Sequence, residues 1–170
     1  MIIDGHTHIL PSNFSLEQKK LGKDSTFEEL FTNSKSKTIT GQKLIQSMDN
    51  NNIRKSIILG YGRNNIEVAK ISNNYNLNQY KLFPNKLIPF CSINPHWGNK
   101  AIKELERCLR KGAKGIGELH PTNQFLNLND KKILDPMMKL ACSEKIPITI
   151  HGSEPVGHKY PGKGESGPKK

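Results

Sequence analysis

Two histidines near the start of the chain have the spacing of metal ligands. A short apolar run leads into Asp4, His6 and His8. Successive side chains of a β-strand point to opposite faces, so these three side chains would share one face. Two imidazoles one strand repeat apart, about 6–7 Å along the backbone, can converge on one metal ion if further ligands come from elsewhere. The pair alone is a weak signal, because histidine pairs at strand ends also occur without a metal.

Candidate partners for this pair stand at the ends of later apolar runs. Glu118 and His120 end one such run, His151 ends the next, and Tyr61 follows an earlier one, where it could line a pocket or rest on its rim. Several histidines with one carboxylate suit a divalent ion such as Zn²⁺. Such an ion would lower the pKa of a bound water to about 7 or polarise a substrate carbonyl. Each residue also has an ordinary alternative: His151 as a hydrogen-bonded loop histidine, and Glu118 as an ion-pair partner of Lys114.

The pattern of apolar residues predicts strands and helices that alternate along the chain. Predicted strands lie at residues 1–10, 54–61, 87–93, 113–120 and 146–151. Predicted helices lie at residues 25–31, 40–50, 64–83, 100–111 and 135–144. The helix starts rest on capping residues such as Thr40, and on Asp135 followed by Pro136. Crossovers of about 20–30 residues between successive strands predict a parallel sheet with helices outside it.

Two fold classes fit this order of elements, a doubly wound α/β sheet and a (β/α)8 TIM-type barrel. A barrel builds its site at the carboxyl ends of its strands, which would bring the histidines and Glu118 together. A complete barrel usually needs about 250 residues, and only five strands are predicted. We therefore expect an α/β barrel that is incomplete, with about five βα units and a truncation at the C-terminus. Residues 1–170 would form the N-terminal part of one barrel domain, with a long loop at 11–40 after strand one and a shortened loop at 152–170 after strand five.

Composition and charge restrict the class of protein. The 170 residues carry a formal net charge of +11, but the lysines are dispersed along the chain, and Lys163, Lys169 and Lys170 lie near its end. No block of aromatic and arginine residues suggests base recognition, which argues against a nucleic-acid partner. Three cysteines without close spacing indicate a reducing compartment rather than disulfides. Because the sequence has no signal-peptide pattern and no run of about 18 apolar residues, we expect a cytoplasmic protein without a membrane partner.

Four motifs follow one another in an order that is typical of one superfamily. They are Ile3-Asp4-Gly5-His6-Thr7-His8, Asn94-Pro95, the run from Gly112 to Pro121, and the run from Ile146 to His151. This ordered set resembles the amidohydrolase superfamily. Within it, the set is similar to the amidohydrolase-related branch of metal-dependent proteins that also contains aromatic-acid decarboxylases.

The resemblance implies a (β/α)8 barrel and a metal site. His6 and His8 match the ligands of strand one, and His151 matches the ligand of strand five. Glu118 stands where parts of the superfamily have a bridging ligand from strand four, whereas decarboxylase-like members do without one. The family also has a histidine after strand six and an aspartate after strand eight, and these 170 residues contain neither segment. The resemblance therefore implies an active full-length enzyme, while the chain as given is expected to lack activity by itself.

Four functions are compatible with the sequence. The first is a metal-dependent hydrolase of the amidohydrolase type, in which a divalent ion, most simply Zn²⁺, activates a water for attack on a small-molecule substrate. The second is a metal-dependent non-oxidative decarboxylase on the same scaffold. The third is a non-catalytic fragment, and the fourth is a metal-dependent nucleic-acid phosphodiesterase, suggested by the net charge. A homo-oligomer is a further possibility, because an open barrel would expose strand edges.

Overall fold

Strands alternate with helices along the chain. The computed structural model describes residues 1–16, 24–31 and 37–152. The strands β1 to β5 span Ile2–His8, Ile53–Leu59, Leu87–Cys91, Gly115–Leu119 and Ile148–Ile150. The helices α1 to α6 span Ser25–Phe31, Gly41–Asn50, Ile66–Leu82, Asn99–Arg110, Pro121–Gln124 and Lys131–Glu144. Short helical turns also cover residues 14–16 and Pro95–Trp97.

The five strands form one parallel sheet in which the order of the strands is their order in the sequence. A doubly wound sheet would instead place later strands on both sides of the first. The sheet is also curled. Gly60, just after β2, exchanges backbone hydrogen bonds of 3.0 and 2.7 Å with Gly117 and Glu118 of β4, two strands away. The predicted fold class, an incomplete (β/α)8 barrel of five strands, is therefore confirmed.

Apolar side chains join the helices to the sheet. Leu44 and Met48 of α2 lie in one buried cluster with Ile58 of β2. Leu105 of α4 lies in another with Ile116 of β4. Burying a side chain of this size stabilises the fold by about 1.5–3 kcal/mol. This packing fixes the strands and, with them, the positions of their carboxyl ends.

Capping residues predict one helix start correctly and another incorrectly. Thr40 caps α2 as predicted. The start predicted for α6 at Asp135 is wrong, because the helix begins one turn earlier, at Lys131, where the Asp130 side chain caps it. Pro136 lies inside this helix. Its fixed φ is close to the helical value, so the helix continues through it with the loss of one hydrogen bond.

The segment between β1 and α2 contains a helix that a buried carboxylate caps. Asp24 Oδ1 accepts a hydrogen bond from Phe27 N at 3.0 Å, so Asp24 caps α1. The predicted loop at 152–170 lies outside the described residues, apart from Gly152.

Candidate metal centre

Polar residues from three strands lie together at one edge of the sheet. His6 and His8 lie at the end of β1, Glu118 lies in β4, and His151 follows β5 directly. Glu118 approaches all three histidines through its two carboxylate oxygens. The carboxyl ends of parallel strands meet at one edge, which explains how residues more than 100 positions apart in the sequence become neighbours.

Two imidazole nitrogens and one carboxylate oxygen surround a common position. His6 Nε2 and His8 Nε2 are 2.9 Å apart, and each lies 3.5 Å from Glu118 Oε2. Nitrogen and oxygen atoms bonded to one zinc-sized ion at about 2.0–2.2 Å can be no more than about 4.4 Å apart. The three separations therefore fit a single divalent ion.

His8 is held in a tautomer that suits a metal ligand. Its Nδ1–H donates to the Leu59 carbonyl oxygen at 3.2 Å, and a carbonyl oxygen can only accept. In the neutral ring, Nε2 therefore carries a lone pair, and this atom faces His6 Nε2. A separation of 2.9 Å between two such nitrogens is favourable only when a proton or a cation lies between them. The donor set thus fits a divalent ion.

Glu118 is an ionised carboxylate although it is only 5% exposed. Burial acts to raise its pKa, but the hydrogen bond with His151 and the charges that His8 and His6 can carry outweigh burial and lower this pKa to about 2. The side chain therefore presents a negative charge to the histidines at neutral pH.

The backbone that carries Glu118 requires glycine at the preceding position. Gly117 has a φ of +136°, and a Cβ there would lie 2.7 Å from the Thr149 carbonyl oxygen. Only glycine adopts such a conformation at little cost. Together with the backbone hydrogen bonds that join Gly60 to Gly117 and Glu118, this conformation holds the backbone from which the Glu118 side chain reaches His6 and His8.

His151 contacts the carboxylate from the other side. Its Nδ1 lies 2.8 Å from Glu118 Oε1, whereas the pair from β1 faces Oε2. Its ring stacks on His120, with the ring centres 4.2 Å apart and the planes 13° apart. His120 Nδ1 in turn accepts a hydrogen bond from Asn123 N at 3.2 Å, at the start of α5. His120 therefore serves as a helix cap and as a support for the His151 ring.

Asp4 has a different role from the histidines that follow it. Its Oδ1 accepts a hydrogen bond from the backbone N–H of His6 at 3.1 Å. The pairing of β1 with β2 also shifts register between Asp4 and Thr7. The expectation that Asp4 shares a face with both histidines assumed regular alternation, which this shift interrupts.

A second group of potential ligands lies in the core of the described structure. Potential ligand atoms of Cys91, Glu104 and Cys108 lie within 4.8 Å of one another, as do those of His6, His8 and Glu118. Arg107, however, binds Glu104 through two nitrogens, each 2.7 Å from a carboxylate oxygen. Burial also raises the pKa of the Cys91 thiol well above its ordinary value. These properties are those of a polar core network.

The sequence matches the family described as Amidohydrolase over residues 3–165. The chain belongs to the amidohydrolase family. No protein with a curated description matches it.

Several solved structures have a similar fold. An amidohydrolase II shares 19% identity over 94% of this chain and 53% of its own, with a TM-score of 0.71. A putative amidohydrolase from Staphylococcus aureus shares 22% identity over 92% of this chain and 48% of its own, with a TM-score of 0.64. A 5-carboxyvanillate decarboxylase from Novosphingobium aromaticivorans, solved with bound manganese, shares 17% identity over 89% of this chain and 51% of its own, with a TM-score of 0.70. The chain thus spans about half the length of the structures that it matches.

The comparisons also bear on the predicted metal ion. The decarboxylase structure contains manganese, so a divalent ion is found in a protein of this fold, while Zn²⁺ for this chain stays a prediction. Within residues 1–16, 24–31 and 37–152, no helix is long and apolar enough to cross a membrane.

A buried arginine that the sequence did not predict lies near the site. Arg63 follows β2, is fully buried, and lies 3.3 Å from Asp24 through Nη1 and Oδ1. Its guanidinium carbon lies over the rings of Tyr61, at 4.9 Å, and Phe14, at 5.1 Å. Burial lowers the pKa of Arg63, and the adjacent Asp24 carboxylate opposes this effect. No sequence signal indicates this pair, because its members are 39 residues apart and the aromatic contacts exist only after folding.

Proposed function

We propose that the chain carries the metal centre of a metal-dependent hydrolase of the amidohydrolase type that acts on a small molecule. His6, His8 and Glu118 would hold the divalent ion, most simply Zn²⁺, while His151, predicted as a fourth ligand, faces Glu118 Oε1. The observation that carries this proposal is the convergence of two histidine nitrogens and a carboxylate oxygen within 3.5 Å of one another at the carboxyl ends of the strands.

The residues of the site have separate tasks in such a reaction. A bound divalent ion supplies a Lewis acid that lowers the pKa of water or polarises a carbonyl. His6 and His8 present Nε2 toward the ion position, and the Leu59 carbonyl keeps the proton of His8 on Nδ1. Glu118 contributes a negative charge that offsets part of the charge of the ion, and His151 fixes the second carboxylate oxygen.

A non-oxidative decarboxylase is the second candidate. The observation that favours it is the similarity in fold to a 5-carboxyvanillate decarboxylase and to a 2,6-dihydroxybenzoate decarboxylase from Rhizobium. The same residues would then hold an ion that binds the carboxylate or phenolate group of an aromatic acid. Hydrolysis and decarboxylation are separable in an assay, because only decarboxylation releases carbon dioxide.

Metal content and activity together test the proposal. The protein would be purified, loaded with Zn²⁺ or Mn²⁺, dialysed, and assayed for bound metal by elemental analysis. We expect at least one tightly bound ion per chain, and a loss of at least tenfold in metal affinity in His6→Ala and His8→Ala. His96→Ala is the matched control, because His96 Nε2 lies 3.0 Å from the Phe125 carbonyl oxygen instead of at the site. Equal metal content in all four proteins would refute the metal centre.

Loaded protein would then be offered amides, esters and lactones in one series and hydroxybenzoates in another. Metal-dependent hydrolysis supports the first candidate, and metal-dependent release of carbon dioxide supports the second. Metal binding with neither activity would leave the metal centre intact and refute catalysis by this chain alone.

A further inference from the structure

Tyr61 lies between the proposed metal ligand His8 and the buried Arg63. The rings of His8 and Tyr61 are stacked, with their centres 4.1 Å apart and their planes 16° apart. The guanidinium carbon of Arg63 lies 4.9 Å from the centre of the same Tyr61 ring. Phe31 of α1 contacts that ring edge-on, with the ring centres 5.6 Å apart. The phenol ring thus has an imidazole, a cation and an aromatic edge around it.

The burial of Arg63 indicates that the aromatic contacts stabilise its charge. Nε and Nη2 of Arg63 are buried and have no hydrogen-bond partner in the described structure. A buried cation without such partners is costly unless other interactions compensate for the lost hydration. The faces of Phe14, Phe27 and Tyr61, at 4.9 to 5.9 Å, and the Asp24 carboxylate supply that compensation. The guanidinium group therefore lies over the Tyr61 ring and helps to hold that ring in place.

The backbone on either side of Tyr61 is fixed as well. The Tyr61 carbonyl oxygen accepts a hydrogen bond from the Ser92 hydroxyl, and the Gly62 carbonyl oxygen accepts one from the Thr26 hydroxyl at 2.6 Å. A ring on such a rigid segment can define the plane of the imidazole that stacks on it. The hydrogen bond from His8 Nδ1 to the Leu59 carbonyl fixes one point of that imidazole, and a stacked neighbour restricts its rotation about that point.

We infer that Tyr61, clamped by Arg63, is a positioning residue that fixes the orientation of the His8 imidazole for metal binding. This inference rests on the metal centre proposed above. Tyr61 acts through its ring face, so its hydroxyl is dispensable for this role. Outer residues that orient a metal ligand typically change metal affinity by about 10- to 100-fold when they are removed.

The test compares Tyr61→Phe, which keeps the ring, with Tyr61→Leu, which removes it. Tyr75→Leu is the matched control, because Tyr75 is a partly buried tyrosine in the cluster of Leu44 and Ile58, and its hydroxyl accepts a hydrogen bond from Gly41 N. Dissociation constants for Mn²⁺ would be measured by competition with a chelator. Thermal unfolding in the presence of a chelator would report the stability of each variant without metal.

We expect Tyr61→Phe to bind Mn²⁺ within about twofold of the unsubstituted protein, and Tyr61→Leu to bind at least tenfold more weakly. Tyr75→Leu should lose stability but keep its affinity. Unchanged affinity in Tyr61→Leu would overturn the inference while leaving the metal centre in place. Should Tyr61→Leu not fold, Tyr61→Met provides a flexible apolar replacement under the same criteria.

A second readout separates the inference from the proposed function. Imidazole resonances of metal-free protein would be recorded by NMR and assigned with His8→Ala. We expect the His8 ring resonances to be sharp in Tyr61→Phe and broadened or shifted to averaged positions in Tyr61→Leu. If the unsubstituted protein binds no metal, the proposed function fails, and these resonances still decide whether Tyr61 orients His8. Identical His8 resonances in both variants would overturn the inference.

Discussion

The charge of Glu118 is the main electrostatic feature of the site at the scale of single residues. The carboxylate is almost fully buried, yet its pKa is lowered to about 2, because hydrogen bonds and neighbouring histidines outweigh burial. A protein retains a buried charge at this cost only where a partner compensates for it. The three histidines around Glu118 fill that role here, and a divalent ion would do so more strongly.

Replacing Glu118 by glutamine tests the role of this charge. Glu118→Gln keeps the shape of the side chain but removes the negative charge and replaces one acceptor oxygen by a donor. We expect the affinity for Mn²⁺ to fall by about 10- to 100-fold, measured by chelator competition. Glu67→Gln is the control, because Glu67 is exposed and pairs with Lys70 on α3. Equal affinities in both variants would show that Glu118 is not a ligand.

At the scale of secondary-structure elements, the Asp24 carboxylate anchors α1 to the segment that follows β2. Asp24 is 1% exposed and accepts hydrogen bonds from the backbone N–H groups of Phe27, Asn64 and Asn65, at 3.0 to 3.1 Å, in addition to its pair with Arg63. One carboxylate thus caps α1 and connects it to the segment that precedes α3.

The two members of this buried pair should differ in their contribution to stability. Asp24→Ala leaves a buried cation without its carboxylate and removes the acceptor of three backbone N–H groups, so we expect a loss of about 3–5 kcal/mol. Arg63→Met keeps apolar volume and leaves Asp24 with three donors, so we expect the smaller loss. Urea unfolding monitored by circular dichroism measures both. A larger loss of stability in Arg63→Met than in Asp24→Ala would contradict this account of the pair of Asp24 and Arg63.

A second buried carboxylate, on α4, should make stability depend on pH. Burial acts to raise the pKa of Glu104, but hydrogen bonds from Arg107 and Asn73 outweigh burial and lower this pKa below its ordinary value. A lowered pKa means that the folded state favours the ionised form, so the contribution to stability is present above the ordinary pKa and is lost as the pH falls through the folded-state pKa. Glu104 therefore connects α3 to α4 most strongly at neutral pH.

Glu104→Gln should show this dependence. At pH 7 we expect a loss of about 1–3 kcal/mol, because Arg107 is left without an anionic partner. The difference from the unsubstituted protein should shrink as the pH falls from 4.5, the ordinary pKa of glutamate, toward and below the lowered pKa. Urea unfolding of both proteins between pH 7 and pH 3 measures this difference in the free energy of unfolding. A difference that is constant over this range would contradict a structural role for the ionised carboxylate.

The sequence predicted strands, most helices and the convergence at the strand ends because each rests on local patterns or on a general property of parallel sheets. Thr40 caps its helix by accepting a hydrogen bond from a backbone N–H three residues further on. The carboxyl ends of parallel strands lie at one edge of the sheet, regardless of the segments that connect the strands. The start of α6 was wrong because Asp130 and Asp135 both fit a cap. Asn73 and Glu104 are buried on helices where polar residues usually mark the exposed face, so sequence alone could not identify the hydrogen bond between them.

At the scale of the whole molecule, the described strands form an open sheet with β1 and β5 at its two edges. On the outermost strands, Ile2 is 56% exposed, Ile3 is 47% exposed, and Ile150 is 45% exposed. In the described structure β1 and β5 are each paired along one edge only. Exposed apolar strand edges are templates for association with another chain.

Charged substitutions at these edges should reduce self-association. We expect the unsubstituted chain to form concentration-dependent assemblies in sedimentation velocity experiments, and Ile3→Lys or Ile150→Lys to shift it toward the monomer. Leu82→Lys is the control, because Leu82 is 66% exposed at the end of α3 rather than on a strand edge. A monomer at all concentrations, with no effect of either edge substitution, would contradict this interpretation.

The central claim is that His6, His8 and Glu118 hold a divalent ion, and anomalous diffraction from crystals soaked in Mn²⁺ tests it most directly. We expect an anomalous peak at about 2.0–2.3 Å from His6 Nε2, His8 Nε2 and Glu118 Oε2. This peak should be absent from His8→Ala crystals soaked in the same way. A peak only at another position, such as the core group of Cys91 and Cys108, or no peak at the ends of β1 and β4, would contradict the claim.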